Sequence, residues 1–142
     1  MTGVQTCALP ISELINVDAE KILLAEKKDK KTAENYLAQW KYARNYSDKR
    51  EALDYFASKS MPELAQGLKD GFDGIRLLTL QKMTASTYRK DSSNLLLAEN
   101  IVKSKSNGKL RAAALNFLVK TSDKKYLPLY EKYLKEIGRA HV

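Results

Sequence analysis

LKDGFDGIRLLTLQKM, Leu68 to Met83, is the stretch on which the fold turns. Gly71 and Gly74 punctuate the chain, and an aliphatic–arginine pair, Ile75-Arg76, then leads into the amphipathic run LLTLQKM. Thirty-five residues further on, Leu110-Arg111 leads into AAALNFL in the same way, and in each copy an amphipathic helix and a short turn come first. Self-similarity at such a period marks paired helices that stack, since one pair alone cannot cover its apolar stripe.

Working outward, the rest of the chain from Thr32 reads as helix after helix. Thr32 is placed to cap TAENYLAQWKYA, in which Ala33, Tyr36, Leu37 and Trp40 share one face. Asp48 and Glu51 give a D-x-x-E start to DKREALDYFASK, with Ala52, Leu53, Phe56 and Ala57 as its stripe. Ser60 and Glu63 make a capping box around Pro62 at the start of PELAQGLKD. Asp91 or Ser92 caps SSNLLLAENIVKSK, which Asn107-Gly108 ends. KLRAAALNFLVK follows and then, after Ser122, DKKYLPLYEKYLK. Helices of about ten residues are marginal alone and need neighbours. The expected architecture is mostly α, an antiparallel helix-pair solenoid over residues 32–135.

Residues 12–31 break that pattern and read as a short β remnant with a linker. In ELINVDAEKILLAEKKDKK, Leu14, Asn16 and Asp18 alternate with Ile15 and Val17, and an apolar run follows at Ile22 to Leu24. Two strands joined near Asp18–Glu20 fit this spacing, and a helix from Asp18 to Lys28 is the alternative. Lys27 to Lys31 reads as a solvated linker, not a nucleic-acid patch, because no aromatic residue interleaves with the lysines.

The two ends carry a different message. MTGVQTCALPIS has no Lys or Arg to begin a secretory signal, and Pro10 interrupts its apolar run. Thr6 to Ile11 and the first base of Ser12 can be encoded by ACG TGT GCT CTT CCG ATC T, whose reverse complement in another frame reads (G)AG ATC GGA AGA GCA CAC GT, or Glu-Ile-Gly-Arg-Ala-His-Val, the sequence of Glu136 to Val142. Both ends look like translations of a sequencing-library adapter. Residues 1–11 and 136–142 are therefore expected to be artefacts flanking a genuine interior segment, residues 12–135. Setting them aside removes Cys7 and His141, the one cysteine and the one histidine. Within the interior segment a disulfide framework, a zinc site of the usual ligands, a Cys or Ser–His nucleophile and a histidine base are then excluded. Net charge stays at +8, because one cation and one anion are lost together. No apolar run approaches the length of a membrane span.

LKDGFDGIR, Leu68 to Arg76, resembles the turn of HEAT repeats, where an aspartate precedes an aliphatic–arginine pair. The resemblance implies that Asp70 accepts backbone N–H groups and that Arg76 ties adjacent repeats together. In the second copy Ser104 or Lys105 stands where the aspartate belongs, which leaves that tie open. Tyr126 to Leu134, with Pro128 inside, resembles the first helix of a further repeat. NVDAEKILLAEKKDKKTAENYLAQWKYA, Asn16 to Ala43, continued through REALDYFASKSMPELAQGLKDGFDGIR, is similar to the junction of the β-domain and the helical C-terminal domain in gluzincin zinc aminopeptidases, the membrane alanyl aminopeptidase family. Bacterial members are the most similar, and the likeness covers most of residues 13–135.

That family removes N-terminal residues from peptides with a zinc ion on an HExxH helix, a later glutamate, and a GxMEN-type segment for the substrate amine. None of these motifs occurs in this chain; Ala98-Glu99-Asn100 echoes the last one only superficially. The resemblance therefore implies a non-catalytic structural piece, with no catalytic, cofactor-binding or metal residue, no cofactor of its own, and zinc only in the parent enzyme. Its partners would be the parent's catalytic and β-domains, with peptide substrates met only through them.

The residues themselves leave a second reading open, a free-standing HEAT-like interaction module for an acidic partner or nucleic acid. Its candidates are Lys103, Lys105, Lys109, Arg111, Lys120, Lys124 and Lys125, which a solvated helix face explains more simply than phosphate binding does. Trp40 with Tyr36, and Tyr126, Tyr130 and Tyr133, are expected to pack between helices.

Overall fold

The structure, a computed structural model, describes residues 30–121 and 123–140, with side chains as far as Glu136. The expected β remnant and most of its linker, residues 12–29, lie outside the described residues, as do Cys7 and His141. The described chain is mostly helical. In order come α1 (Ala33–Tyr42), α2 (Tyr46–Ser58), a 3-10 helix η1 (Pro62–Lys69), α3 (Asp73–Lys82), the short α4 (Ser86–Lys90), α5 (Ser92–Lys103), α6 (Gly108–Val119), a 3-10 turn η2 (Lys124–Tyr126) and α7 (Leu127–Ala140). Contacts divide the chain into two compact units, the first ending at Tyr55 and the second beginning at Phe56.

In the first unit α1 starts as its sequence dictates. Asn35 N–H donates to Thr32 Oγ1 at 3.3 Å, and Thr32 N–H donates back to Asn35 Oδ1 at 3.0 Å, so two orphan donors are satisfied reciprocally. The start of α2 differs from expectation. Asn45, not Asp48, is the capping side chain: its Oδ1 accepts from Asp48 N–H at 2.8 Å, and its Nδ2 donates to Asp48 Oδ2 at 3.0 Å. Asp48 lies within the first turn of the helix, where it is buried. Ala52 and Leu53 are fully buried, as their stripe requires. Trp40 is only half-buried, and Gln39 is the buried residue of α1.

The second unit opens on the last turn of α2. Met61 N–H bonds to Phe56 O at 2.9 Å and Ser60 N–H to Ala57 O at 3.1 Å, while Ser60 has φ of 51°. This is the Schellman arrangement, with serine in the left-handed position where glycine is preferred. Ser60 therefore ends α2 and does not cap η1; Met61 occupies that N-cap without a side-chain bond, and Pro62 sets the first helical φ. Leu64, Gly67 and Leu68 form the buried face of η1, which packs on α3 and on α5.

The turn between η1 and α3 repeats in altered form before α6. Asp70 Oδ1 accepts from Phe72 N–H at 2.9 Å, and Ser104 Oγ accepts from Ser106 N–H at 3.3 Å. Serine thus takes the aspartate's local role. Asn107-Gly108 was expected to end α5, but α5 ends at Lys103. Asn107 instead caps α6 by accepting from Leu110 N–H at 2.9 Å, and Gly108 is the first residue of that helix. Asp91 caps α5 and Asp123 caps η2 in the same manner.

α6 is the hub of the unit, packing against α3, α5 and α7. Its Leu110, Ala114, Leu115, Phe117 and Leu118 are buried, together with Ile75 and Leu80 of α3 and Ala98, Ile101 and Val102 of α5. At about 25 cal/mol per Å² removed from water, such side chains each contribute roughly 1.5–3 kcal/mol. Three polar side chains of this core are partnered, while Glu63 Oε2 and Arg76 Nε are buried without a hydrogen bond. Thr79 Oγ1 donates to Ile75 O at 2.8 Å, Asn94 Nδ2 donates to Tyr88 O at 3.0 Å, and the half-buried Tyr88 hydroxyl reaches Met61 O at 2.9 Å.

Candidate functional site

Three constellations in the described residues have enough definition to be weighed as sites. The first lies wholly in the first unit. Lys31 Nζ donates to Gln39 Oε1 at 2.8 Å and to both carboxylate oxygens of Glu51 at 3.1 Å. Gln39 Nε2 donates in turn to Asp48 O at 2.8 Å and to Glu51 Oε2 at 3.0 Å. Tyr36 and Tyr55 stack at 4.1 Å, and the Lys31 ammonium sits 5.6 Å from the Tyr36 ring centre. Lys31 is only 4% exposed. It is therefore no solvated linker lysine, contrary to its place in KKDKK, and its bonds tie the entry to α1 onto α2. With its donors spent on a carboxylate and an amide, Lys31 is part of a network that organises structure.

The second constellation links the two copies of the repeated turn. Arg76 pairs with Asp73 Oδ1 within α3, and Asp73 Oδ2 accepts from Asn107 Nδ2 at 3.2 Å. The arginine of the aliphatic–arginine pair thus reaches the next copy through Asp73 and not directly. Arg111, its counterpart, donates to Val102 O at 2.9 Å and pairs with Glu136 Oε1 of α7 at 3.1 Å, with Tyr133 beneath its guanidinium. Equivalent arginines make different ties because Asp73 has no acidic counterpart at Gly108.

The third is a groove of about 690 Å³ running over α3 and α6 in the second unit. Leu77, Ala112 and Ala113 line it, and Leu80, Met83 and Phe117 lie beneath with little exposure. Arg89, Lys109 and Lys120 stand along it with Gln81 and Asn116, and no acidic residue lines it. The basic stripe weighed as an alternative to a solvated face is therefore divided. Lys109 and Lys120 belong to the groove, Lys103 pairs with Glu99, Arg111 turns to Glu136, and Lys125 pairs with Asp123 beside the Tyr126 ring. Hydrogen bonding to Glu99 holds the Lys103 ammonium above its ordinary range, and bonding to Tyr126 does the same for Lys125. Arg89 is a member the sequence reading missed. It lies in the short α4, where Nη1 donates back to Thr84 O at 3.1 Å and so fixes the guanidinium beside the groove.

Of the other candidates, Tyr126 is buried, Tyr130 and Tyr133 are half-buried, and Glu99 is held by Lys103. Among the described residues no group of three or more His, Cys, Asp or Glu side chains is placed to hold a metal, and no helix is long and apolar enough to cross a membrane. Comparison with protein-family models, with curated proteins and with solved structures yields no match to this chain.

Proposed function

We propose that the chain is a non-catalytic scaffold of HEAT-like helix pairs, the helical C-terminal part of a zinc aminopeptidase that removes N-terminal residues from peptides. The observation that carries the scaffold reading is the order of packing. η1 pairs with α3, α5 pairs with α6, η1 meets α5 and α3 meets α6, so each pair touches the next through like members. That is the nearest-neighbour logic of helix-pair arrays. The Arg76–Asp73–Asn107 chain, which spans the repeat distance, adds a polar tie between successive pairs.

A further support is the uncovered side of α7. This helix packs on α6, yet Leu127 is 51% exposed and Leu134 is 47% exposed. Both fall on a helix that the repeat pattern makes the first member of a next pair. Covering the exposed half of each would contribute roughly 1 kcal/mol, which suits a further element of the same array. The parentage rests on the resemblance of Asn16 to Arg76 to the aminopeptidase junction. Zinc, catalysis and substrate binding belong in this reading to the parent's other domains, and no residue of this chain is assigned to them.

Sequencing the source locus outward from within residues 12–135 tests the proposal. A reading frame that continues upstream into a β-domain and an HExxH helix is expected. A start codon directly before Ser12, or a genomic origin for MTGVQTCALPIS, overturns the aminopeptidase parentage and leaves the interaction module as the reading.

A further inference from the structure

We infer that the groove over α3 and α6 is a docking site for an acidic amphipathic helix of another polypeptide. The inference goes beyond the scaffold reading and does not rest on the aminopeptidase parentage. Lys109 and Lys120 bracket the groove along α6, eleven residues apart, or about 16 Å at 1.5 Å per residue. That length accommodates about three turns of a helix. Between the lysines, Ala112, Ala113 and Asn116 form a low floor that lets a second helix approach closely, and Leu77 supplies an apolar wall from α3.

The charges select the occupant. Arg89 and the two lysines give three cations, and no lining residue is acidic. A largely apolar floor whose only charged neighbours are basic matches a helix that has leucines on one face and glutamates or aspartates flanking them. It would repel a basic helix by the same charges. A nucleic acid is the poorer match, because single strands need exposed aromatic faces to stack on. Phe117, the aromatic residue of the groove, is 4% exposed.

The test uses the full chain and a fluorescein-labelled helical peptide of about 14 residues, with leucines at i, i+3, i+4 and i+7 and glutamates beside them. Anisotropy titration is expected to show saturable binding that weakens as salt rises. The double variant Lys109→Glu/Lys120→Glu, at two exposed positions, is expected to weaken it about tenfold. Ala113→Trp fills the floor and is expected to abolish binding, with circular dichroism reporting on folding. A scrambled peptide of the same composition is expected not to bind. Equal binding of the scrambled peptide, no effect of the lysine reversal, or absence of binding overturns the inference. Binding of a labelled single-stranded oligonucleotide in place of the peptide also overturns it and assigns the groove to phosphates.

Discussion

Gly67 is the tightest point of the second unit, and replacing it by alanine tests how η1 and α3 meet. A methyl group built there would collide with Thr79 Oγ1 and would lie 3.0 Å from Thr79 Cβ and 3.2 Å from Cγ2. Thr79 has no room to retreat. It is fully buried, and its hydroxyl is committed to Ile75 O at 2.8 Å, so rotating it away breaks that bond and still leaves a carbon in contact. The strain must then pass to the packing of η1 on α3, where Leu64, Leu68 and Ile75 are all buried. Overpacking of this kind costs about 1–3 kcal/mol. Loss of glycine's freedom in the unfolded chain returns at most about 1 kcal/mol.

Gly67→Ala is therefore expected to destabilise the protein by about 1–2 kcal/mol, lowering its urea midpoint by roughly 1 M. Thr79→Ala removes the colliding atom, and the double variant Gly67→Ala/Thr79→Ala should be more stable than the sum of the single losses implies. A coupling energy of about 1 kcal/mol is expected from equilibrium urea unfolding followed by circular dichroism. A neutral or stabilising Gly67→Ala, or additive single effects, refutes the close approach of these two elements.

Three further outcomes are expected. Ser60→Gly relieves the left-handed backbone after α2 and should raise stability by about 0.5–1 kcal/mol in urea unfolding, whereas Ser60→Ala should give no gain. Tyr88→Phe should cost about 1 kcal/mol through the lost bond to Met61 O. Burial, and secondly the negative charge of Glu63, raise the Tyr88 phenol above its ordinary value of 10.0, so its contribution is whole below pH 10 and falls as pH climbs through the folded value. Thermal melts at rising alkaline pH should accordingly show the gap between Tyr88→Phe and the parent chain closing. Finally, the exposed leucines of α7 should make the chain self-associate. Leu127→Glu/Leu134→Glu should shift its light-scattering mass toward that of one chain, and an unchanged monomer in both would count against an uncovered face.

Much of the helical order was legible because it rests on local chemistry. Thr32 followed by Asn35, Asp91 before a leucine run, and the stripes of Ala52–Leu53 and Leu110–Leu118 declare themselves through capping and spacing alone. Two of the misreadings share one cause, which is that a polar residue between two helices can serve either. Ser60 has the spacing of a capping box with Glu63, but the chain must first leave α2, and the Schellman bonds claim Ser60 for that exit. Asn107-Gly108 looks like a terminator, yet Ser104 has already closed α5 through its bonds to Ile101 O and Ser106 N–H, so Asn107 is free to begin α6. Lys31 was hidden among lysines of identical composition, and only the fold shows Gln39 and Glu51 closing around it.

The same distinction governs the groove. Lys109 and Lys120 were visible as cations, but seven cations close in sequence carry no information about which face each occupies. The helix period separates Lys109 and Lys120 from Arg111. Two residues along a helix turn a side chain by about 200°, so Arg111 faces α5 and α7 while Lys109 faces the groove. Arg89 joins them from the short α4, which sequence spacing alone does not place. The seven cations read in sequence as a solvated face, with a phosphate stripe only as the alternative, whereas the structure sets Lys109, Lys120 and Arg89 beside a largely apolar floor, the arrangement that favours a helix with acidic flanks.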